Sequence, residues 1–115
     1  MKSKERAYAP YSNFSVGSAL LANGKIYTGF NIENASYSLS ICAERAAAVN
    51  AITDGSRDFK ELALASDGKD FIVPCGACLQ FLAEFSKNLD IVLVNGQGDK
   101  KKTTLKELFP VPFEL

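Results

Sequence analysis

The cysteine and histidine content of the chain restricts the metal sites and cross-links that it can form. The 115 residues include Cys42, Cys75 and Cys78 and no histidine. An odd cysteine count without a signal segment fits thiolates held for a metal better than a disulfide framework. Three thiolates leave one position of a tetrahedral zinc ion open, which is typical of catalytic zinc sites. The cysteines therefore predict one zinc ion per chain with an open coordination position.

Two short motifs contain these cysteines and add a carboxylate to them. They are Cys-Ala-Glu-Arg at residues 42–45 and Val-Pro-Cys-Gly-Ala-Cys at residues 73–78. Glu44 lies two residues after Cys42, near enough to exchange a proton with metal-bound water. Cys-x-Glu followed by Pro-Cys-x-x-Cys is the general signature of zinc-dependent nucleobase deaminases. By itself, a Cys-x-x-Cys pair also fits a redox pair or half of a zinc knuckle, and lone cysteines fit buried apolar positions.

Both motifs are predicted to lie at helix N-termini. The alanine-rich residues 42–52 predict a helix that stops near Gly55, and Pro74 predicts the start of a second helix over residues 75–85. Free N–H groups and the macrodipole at a helix N-terminus lower a thiol pKa and stabilise thiolates. Three thiolates still leave a divalent ion in a net negative site. Arg45 is predicted to offset that charge, and the alternative is an ordinary exposed arginine.

The remaining sequence predicts strands and short connections within one domain over residues 1–115. Apolar runs predict strands at residues 15–22, 25–31, 62–66 and 90–94. Asn23-Gly24 predicts a hairpin between the first two strands. A last short helix is expected at residues 105–109, and no repeat or linker divides the chain.

Charge and hydropathy exclude several classes of partner. The chain has 13 basic and 13 acidic residues, and a nucleic-acid polymer requires a concentrated basic surface. An RNA- or DNA-editing deaminase is therefore disfavoured, and a small neutral substrate is expected. Residues 1–6 are charged, and no stretch approaches the roughly 18 apolar residues of a membrane span. These features predict no membrane partner and a cytoplasmic location.

Five ordered motifs together resemble cytidine deaminases of the small homotetrameric type. The resemblance implies a three-layer α/β/α sandwich with a mixed five-stranded sheet and zinc held by the three cysteines. It implies hydrolytic deamination of cytidine and deoxycytidine to uridine and deoxyuridine with release of ammonia. Glu44 would take a proton from zinc-bound water, the hydroxide would attack C4, and Glu44 would deliver protons to N3 and the leaving ammonia. The motifs are residues 11–17, 31–37, 42–45, 74–78 and 107–110.

The resemblance also implies the residues that contact a nucleoside substrate. The ribose would be held within the chain and by neighbouring subunits of a tetramer, whose active sites lie at subunit interfaces. Phe14 and Phe113 also fit core or interface positions, and residues 31–37 also fit a hydrogen-bonded loop. The implied contacts are Asn31 and Glu33 to the ribose, Phe14 beside the nucleoside, the backbones of Ala43 and Val73 to the pyrimidine edge, and, from neighbours, Ala35 and Tyr37 to a ribose hydroxyl and Phe113 to the base.

Three positions depart from the family pattern: Leu79 replaces a usual arginine, Ala46 a common threonine and Phe30 a small residue. Leu79 removes a possible cation and leaves Arg45 a larger share of the charge compensation. Two other functions are considered. One is deamination of a nucleoside-like antibiotic such as blasticidin S, against which the intact motif at residues 31–34 argues. The other is a non-catalytic binding module with structural zinc, which requires a fourth protein ligand.

Overall fold

The computed structural model describes residues 7–114, which form five strands, three α-helices and a 3₁₀ turn. Residues 1–6 and 115 lie outside the described residues. The prediction made for the charged N-terminal segment concerns residues 1–6, and the predicted single domain over residues 1–115 is described only for residues 7–114. Among the residues described, no helix is long and apolar enough to cross a membrane. The elements are β1 (Val16–Ala22), β2 (Lys25–Phe30), a 3₁₀ turn (Tyr37–Leu39), α1 (Ala43–Thr53), β3 (Phe59–Ser66), α2 (Gly76–Ala83), β4 (Asp90–Val94), β5 (Lys100–Thr104) and α3 (Leu105–Leu108).

The strands form one mixed sheet in the order β2-β1-β3-β4-β5. Strands β3 and β4 pair in parallel, and the other neighbouring pairs are antiparallel. Parallel neighbours need a crossover connection, and α2 lies in the segment that connects β3 to β4. The predicted α/β class with a mixed five-stranded sheet and packed helices is confirmed.

The hairpin predicted at Asn23-Gly24 is confirmed. Asn23 and Gly24 have φ angles of 51° and 76°, the left-handed conformations that a two-residue type I′ turn requires. The turn is also bound to the segment that leads into β3, because Asp58 N–H donates to Asn23 Oδ1 at 3.1 Å. The turn end of the β1–β2 hairpin is therefore attached to the residue that precedes β3.

Strand β5 was not predicted from the residues themselves. Its sequence is Lys-Lys-Lys-Thr-Thr, and the three lysines are exposed. The strand forms an outer edge of the sheet and pairs with β4 alone, so charged side chains can point into solvent there. Only the family resemblance implied a fifth strand.

Helix α1 packs closely on the sheet because its inner face is made of alanine. Ala43, Ala47, Ala48 and Ala51 are fully buried. Gly29 of β2 lies beneath the first turn of the helix, and a Cβ placed there would be 2.4 Å from Ala43 O and Ala47 N. The short side chains and this glycine together set the position of the helix end that contains Cys42 and Glu44.

We expect Gly29→Ala to destabilise the fold by about 2 kcal/mol, the typical cost of overpacking a close contact. The added methyl group would meet backbone atoms, which cannot move aside without shifting α1. Denaturant unfolding would measure the loss. Gly76→Ala is the matched control, because a Cβ at Gly76 meets no atom within 4 Å. Equal stability of the two variants would contradict the close contact.

Candidate metal centre and active site

The three cysteine sulfurs lie together, all within 4.8 Å of one another. The Cys75 and Cys78 sulfurs are 3.3 Å apart, and the Cys42 and Cys75 sulfurs are 3.8 Å apart. Zinc–sulfur bonds of about 2.3 Å in a tetrahedron place neighbouring sulfurs about 3.8 Å apart. The donor atoms and their spacing therefore fit one zinc ion, and soft thiolates suit that metal.

Two helix N-termini bring the sulfurs together. Cys42 is the N-cap residue of α1 and Cys75 is the N-cap residue of α2, while Cys78 lies in the first turn of α2. Both cap residues have extended backbones, and neither side chain makes a capping hydrogen bond. The sulfurs thus lie where free N–H groups and the helix macrodipole favour negative charge. The prediction that both cysteine motifs begin helices is confirmed.

The pKa values of two thiols in the cluster shift in opposite directions. The hydrogen bond from Cys78 and the neighbouring Arg45 lower the pKa of Cys42 to about 5. The same hydrogen bond to Cys42, together with burial, raises the pKa of Cys78. Negative charge in the cluster is therefore favoured at Cys42, beside the Arg45 guanidinium.

Glu44 is a buried carboxyl group directly beside this cluster. It belongs to the first turn of α1, and only 4% of the residue is exposed. Burial raises the pKa of Glu44, the Cys42 charge raises it further, and a hydrogen bond with Cys78 opposes the rise. A buried carboxyl with a raised pKa can both accept and return a proton near neutral pH.

Arg45 lies against the sulfurs rather than extending freely into solvent. Its Nη2 is 3.9 Å from Cys42 Sγ and donates to the Ser40 carbonyl at 3.3 Å. The hydrogen bond to Cys42 raises the pKa of Arg45. Leu79, in place of the family's usual arginine, is packed in the core with 6% exposure. The guanidinium of Arg45 is therefore placed where it can offset thiolate charge.

We expect Arg45→Met to weaken zinc binding by about 10-fold to 100-fold, as for other residues that support metal ligands. The methionine keeps the apolar stem but removes the positive charge beside Cys42 Sγ. Competition with a chromophoric chelator would measure the affinity. Arg57→Met, at an exposed position, is the matched control. Zinc affinity that is equal in both variants would exclude this role.

Asn31 and Glu33 organise the loop before β1. Asn31 Oδ1 accepts from Val16 N–H at 3.0 Å, and its Nδ2 donates to Phe14 O at 2.8 Å. Glu33 Oε1 accepts from two backbone N–H groups, those of Tyr11 at 2.9 Å and Ser12 at 3.1 Å. These contacts bind the predicted ribose residues to their own chain, and their ribose role stays a prediction.

A hydroxyl group completes the Glu33 contacts. Ser12 Oγ donates to Glu33 Oε2 at 2.5 Å and accepts from Phe14 N–H at 3.1 Å. The hydrogen bond from Ser12 lowers the pKa of Glu33. Glu33 and the half-buried Phe14 therefore belong to one hydrogen-bonded unit, although sequence reasoning had assigned them separately.

The other predicted contact residues differ in exposure. Tyr37 is 74% exposed, with its ring edge-on to Tyr11 at 6.0 Å between centroids. Phe113 is also 74% exposed, and Val73 is 55% exposed. Ala35 is exposed as well, whereas Ala43 is buried and its carbonyl oxygen accepts from Ser18 Oγ at 2.7 Å. Surface aromatic residues of this kind are suited to contact another molecule.

Sequence reasoning missed three polar residues that the structure connects to the predicted site residues: Ser12, Ser18 and Gln80. Each makes a hydrogen bond to a predicted residue at least 21 positions away along the chain. Such partners have no local sequence signal. The position of Ser12 in a polar turn was the one feature that could have indicated a hydrogen-bonding role.

Comparison with known proteins gives matches over nearly the whole chain. A family described as the cytidine and deoxycytidylate deaminase zinc-binding region matches residues 1–94. The chain is 49% identical over 114 residues to a cytidine deaminase of Sporosarcina psychrophila, covering 97% of this chain and 84% of that protein. It is 47% identical over 110 residues to a probable cytidine deaminase of Dictyostelium discoideum, covering 94% and 74%.

The three-dimensional match is equally extensive. A crystal structure of cytidine deaminase from Burkholderia pseudomallei superposes with a TM-score of 0.92 and 46% sequence identity. The superposition covers 97% of this chain and 91% of that one. The similarity thus includes the sheet, both cysteine-bearing helices and the loops between them.

Proposed function

The chain belongs to the cytidine and deoxycytidylate deaminase family, and from that premise we propose that it deaminates cytidine and deoxycytidine by hydrolysis. Water replaces the exocyclic amino group, which leaves as ammonia, and the products are uridine and deoxyuridine. The observation that carries the proposal is the buried Glu44 carboxyl beside three sulfurs spaced for a tetrahedral metal. The family and the homologous enzymes support the same reaction.

The metal site consists of Cys42, Cys75 and Cys78, whose sulfurs fit one zinc ion per chain. When bound there, zinc lowers the pKa of a coordinated water so that a nucleophile is available near neutral pH. Arg45 and the two helix N-termini offset the negative charge of the three thiolates. These groups of the chain prevent excess thiolate charge from opposing deprotonation of the water.

Glu44 moves the protons in the proposed reaction. Its carboxylate accepts a proton from the attacking water and delivers it to ring N3. It then accepts the second proton, from the oxygen now bound to C4, and delivers it to the departing amino group. The C4–O bond forms and the C4–N bond breaks, so one water is consumed for each ammonia released. Burial and the raised pKa of Glu44 support both halves of this exchange.

For substrate binding, we propose contacts within the chain and across subunits of a homotetramer in the cytoplasm. Asn31 and Glu33 would hold the ribose, Phe14 would lie beside the nucleoside, and the backbones of Ala43 and Val73 would contact the pyrimidine edge. Neighbouring subunits would contribute Ala35, Tyr37 and Phe113. The exposure of Tyr37, Val73 and Phe113 supports contacts of this kind.

Two rival functions have less support. A structural zinc module needs a fourth protein ligand, and the metal-ligating group found among the described residues contains only the three cysteines. Deamination of blasticidin S would use the same metal centre. The ribose motif at residues 31–34 and the cytidine deaminases among the relatives favour a nucleoside substrate instead.

The decisive assay follows the ultraviolet absorbance of cytidine, deoxycytidine and blasticidin S on addition of the purified chain, with zinc content measured in parallel. Loss of absorbance with the two nucleosides at one zinc per chain would support the proposal. Turnover of blasticidin S alone would replace the substrate assignment. Stoichiometric zinc without turnover of any of the three would support the structural module.

A further inference from the structure

Gln80 makes an unusually specific pair of contacts with the C-terminal segment. Its side-chain Nε2 donates to the Phe113 carbonyl at 3.0 Å, and its Oε1 accepts from the Phe113 N–H at 2.9 Å. One amide thus satisfies both backbone polar groups of one residue, as a neighbouring strand would. A single planar amide offers a donor and an acceptor on the same rigid unit. The pair therefore fixes the orientation of the Phe113 backbone, as well as its distance from α2.

The same helix carries two of the three candidate metal ligands. Gln80 lies two residues after Cys78 on α2, so its two hydrogen bonds attach the C-terminal segment to the helix that positions the Cys75 and Cys78 sulfurs. A second connection, between Lys87 Nζ and Glu114 Oε2 at 2.6 Å, joins exposed side chains. Exposed ion pairs contribute little to stability. The Gln80 amide is thus the contact that can set the geometry of this segment.

The result is an aromatic ring held in place but left uncovered. Phe113 is 74% exposed and Val111, two residues before it, is 83% exposed, although the Phe113 backbone is bound at both polar groups. A fixed backbone limits the directions available to the ring, which reduces the entropy lost when the ring contacts another molecule. Aromatic side chains presented in this way are common anchors at interfaces.

We infer that Gln80 is a positioning residue that presents the Phe113 ring to the active site of a second copy of the chain. The inference rests on the proposed function, in which Phe113 of one subunit contacts the base bound by another. Gln80 touches neither substrate nor metal in this assignment. It acts through the backbone of Phe113, so its loss affects substrate binding more than the chemical step.

The test is a double-mutant cycle on the zinc-loaded enzyme. Gln80→Leu keeps the side-chain size and removes both hydrogen bonds, and we expect KM for cytidine to rise roughly tenfold, equivalent to about 1.4 kcal/mol, with kcat within twofold of the wild type. In a Phe113→Ala background, Gln80→Leu should add no further change, because coupled residues are non-additive. Gln80→Glu keeps only the acceptor and should lie between wild type and Gln80→Leu. Lys87→Met, which breaks the exposed ion pair, is the matched control and should leave KM unchanged.

Hydrogen exchange at the Phe113 amide supplies a readout independent of turnover. The amide should exchange slowly in the wild type and in Gln80→Glu, and rapidly in Gln80→Leu. An unchanged KM in Gln80→Leu would overturn the inference, as would losses that add fully to those of Phe113→Ala. Reduced zinc content with lowered kcat would also overturn it, since it indicates a general effect on α2. A wild-type chain inactive on both nucleosides would instead overturn the proposed function.

Discussion

Glu44→Gln should leave a folded chain with zinc bound and reduce kcat by about 10²-fold to 10⁴-fold, the range that a general acid–base group contributes. Glutamine matches glutamate in size, so the buried position beside the sulfurs stays filled. Its amide can form hydrogen bonds but cannot take a proton from water and return it. Steady-state assays of cytidine turnover would measure kcat, and the zinc content per chain would be measured in parallel.

Two further variants make this result specific to Glu44. Glu61→Gln changes an exposed carboxylate on β3 and should leave kcat unchanged. Glu44→Ala removes the proton-exchanging group without leaving an amide that could contact the metal, and it should show the same loss. If either Glu44 variant keeps turnover within a few-fold of wild type, Glu44 does not move the protons.

Removing the metal should abolish turnover and lower thermal stability together. The three sulfurs come from α1 and α2, so a bound ion connects both helices and its binding free energy adds to folding. Zinc at 100 times its dissociation constant stabilises the native chain by about 2.7 kcal/mol. Chelation in the presence of a thiol reductant should lower Tm, and added zinc should restore both Tm and activity.

Cys75→Ser is the most informative ligand variant. Cys75 is the exposed member of the cluster, whereas Cys78 is fully buried, so serine at position 75 disturbs the core least. We expect this variant to fold, to gain little Tm on zinc addition and to lack turnover. Full activity after chelation, or a zinc-dependent Tm equal to wild type in Cys75→Ser, would be incompatible with the three-sulfur site.

The parts of the fold that were predictable depend on neighbouring residues in the sequence. The Asn23-Gly24 turn is confirmed because its backbone conformation is a local preference. The helix predicted over residues 42–52 is found as α1, Ala43–Thr53, since alanine has the highest intrinsic helix propensity and this segment contains five alanines. Cys42 and Glu44 were assigned together for a similar reason, since only Ala43 lies between them.

The parts that were not predictable depend on contacts between distant segments. Strand β3 begins at Phe59 rather than at the predicted Leu62. The charged residues Lys60 and Glu61 interrupt the apolar pattern there, whereas pairing with β1 and β4 extends the strand through them. The helix predicted over 75–85 is shorter, Gly76–Ala83, because Phe85 and Ser86 N–H groups both bond to Leu82 O in a closing turn.

The lysine-rich strand β5 has a consequence for the behaviour of the protein at high concentration. An edge strand with free N–H and C=O groups is a template on which another chain can add a strand and begin aggregation. Lys100, Lys101 and Lys102 occupy this edge, and a second copy that approached edge to edge would bring like charges together. The lysines that hid β5 from sequence-based prediction thus also oppose aggregation through this edge. Valine at these positions would strengthen the strand signal and remove the electrostatic barrier to fibre formation.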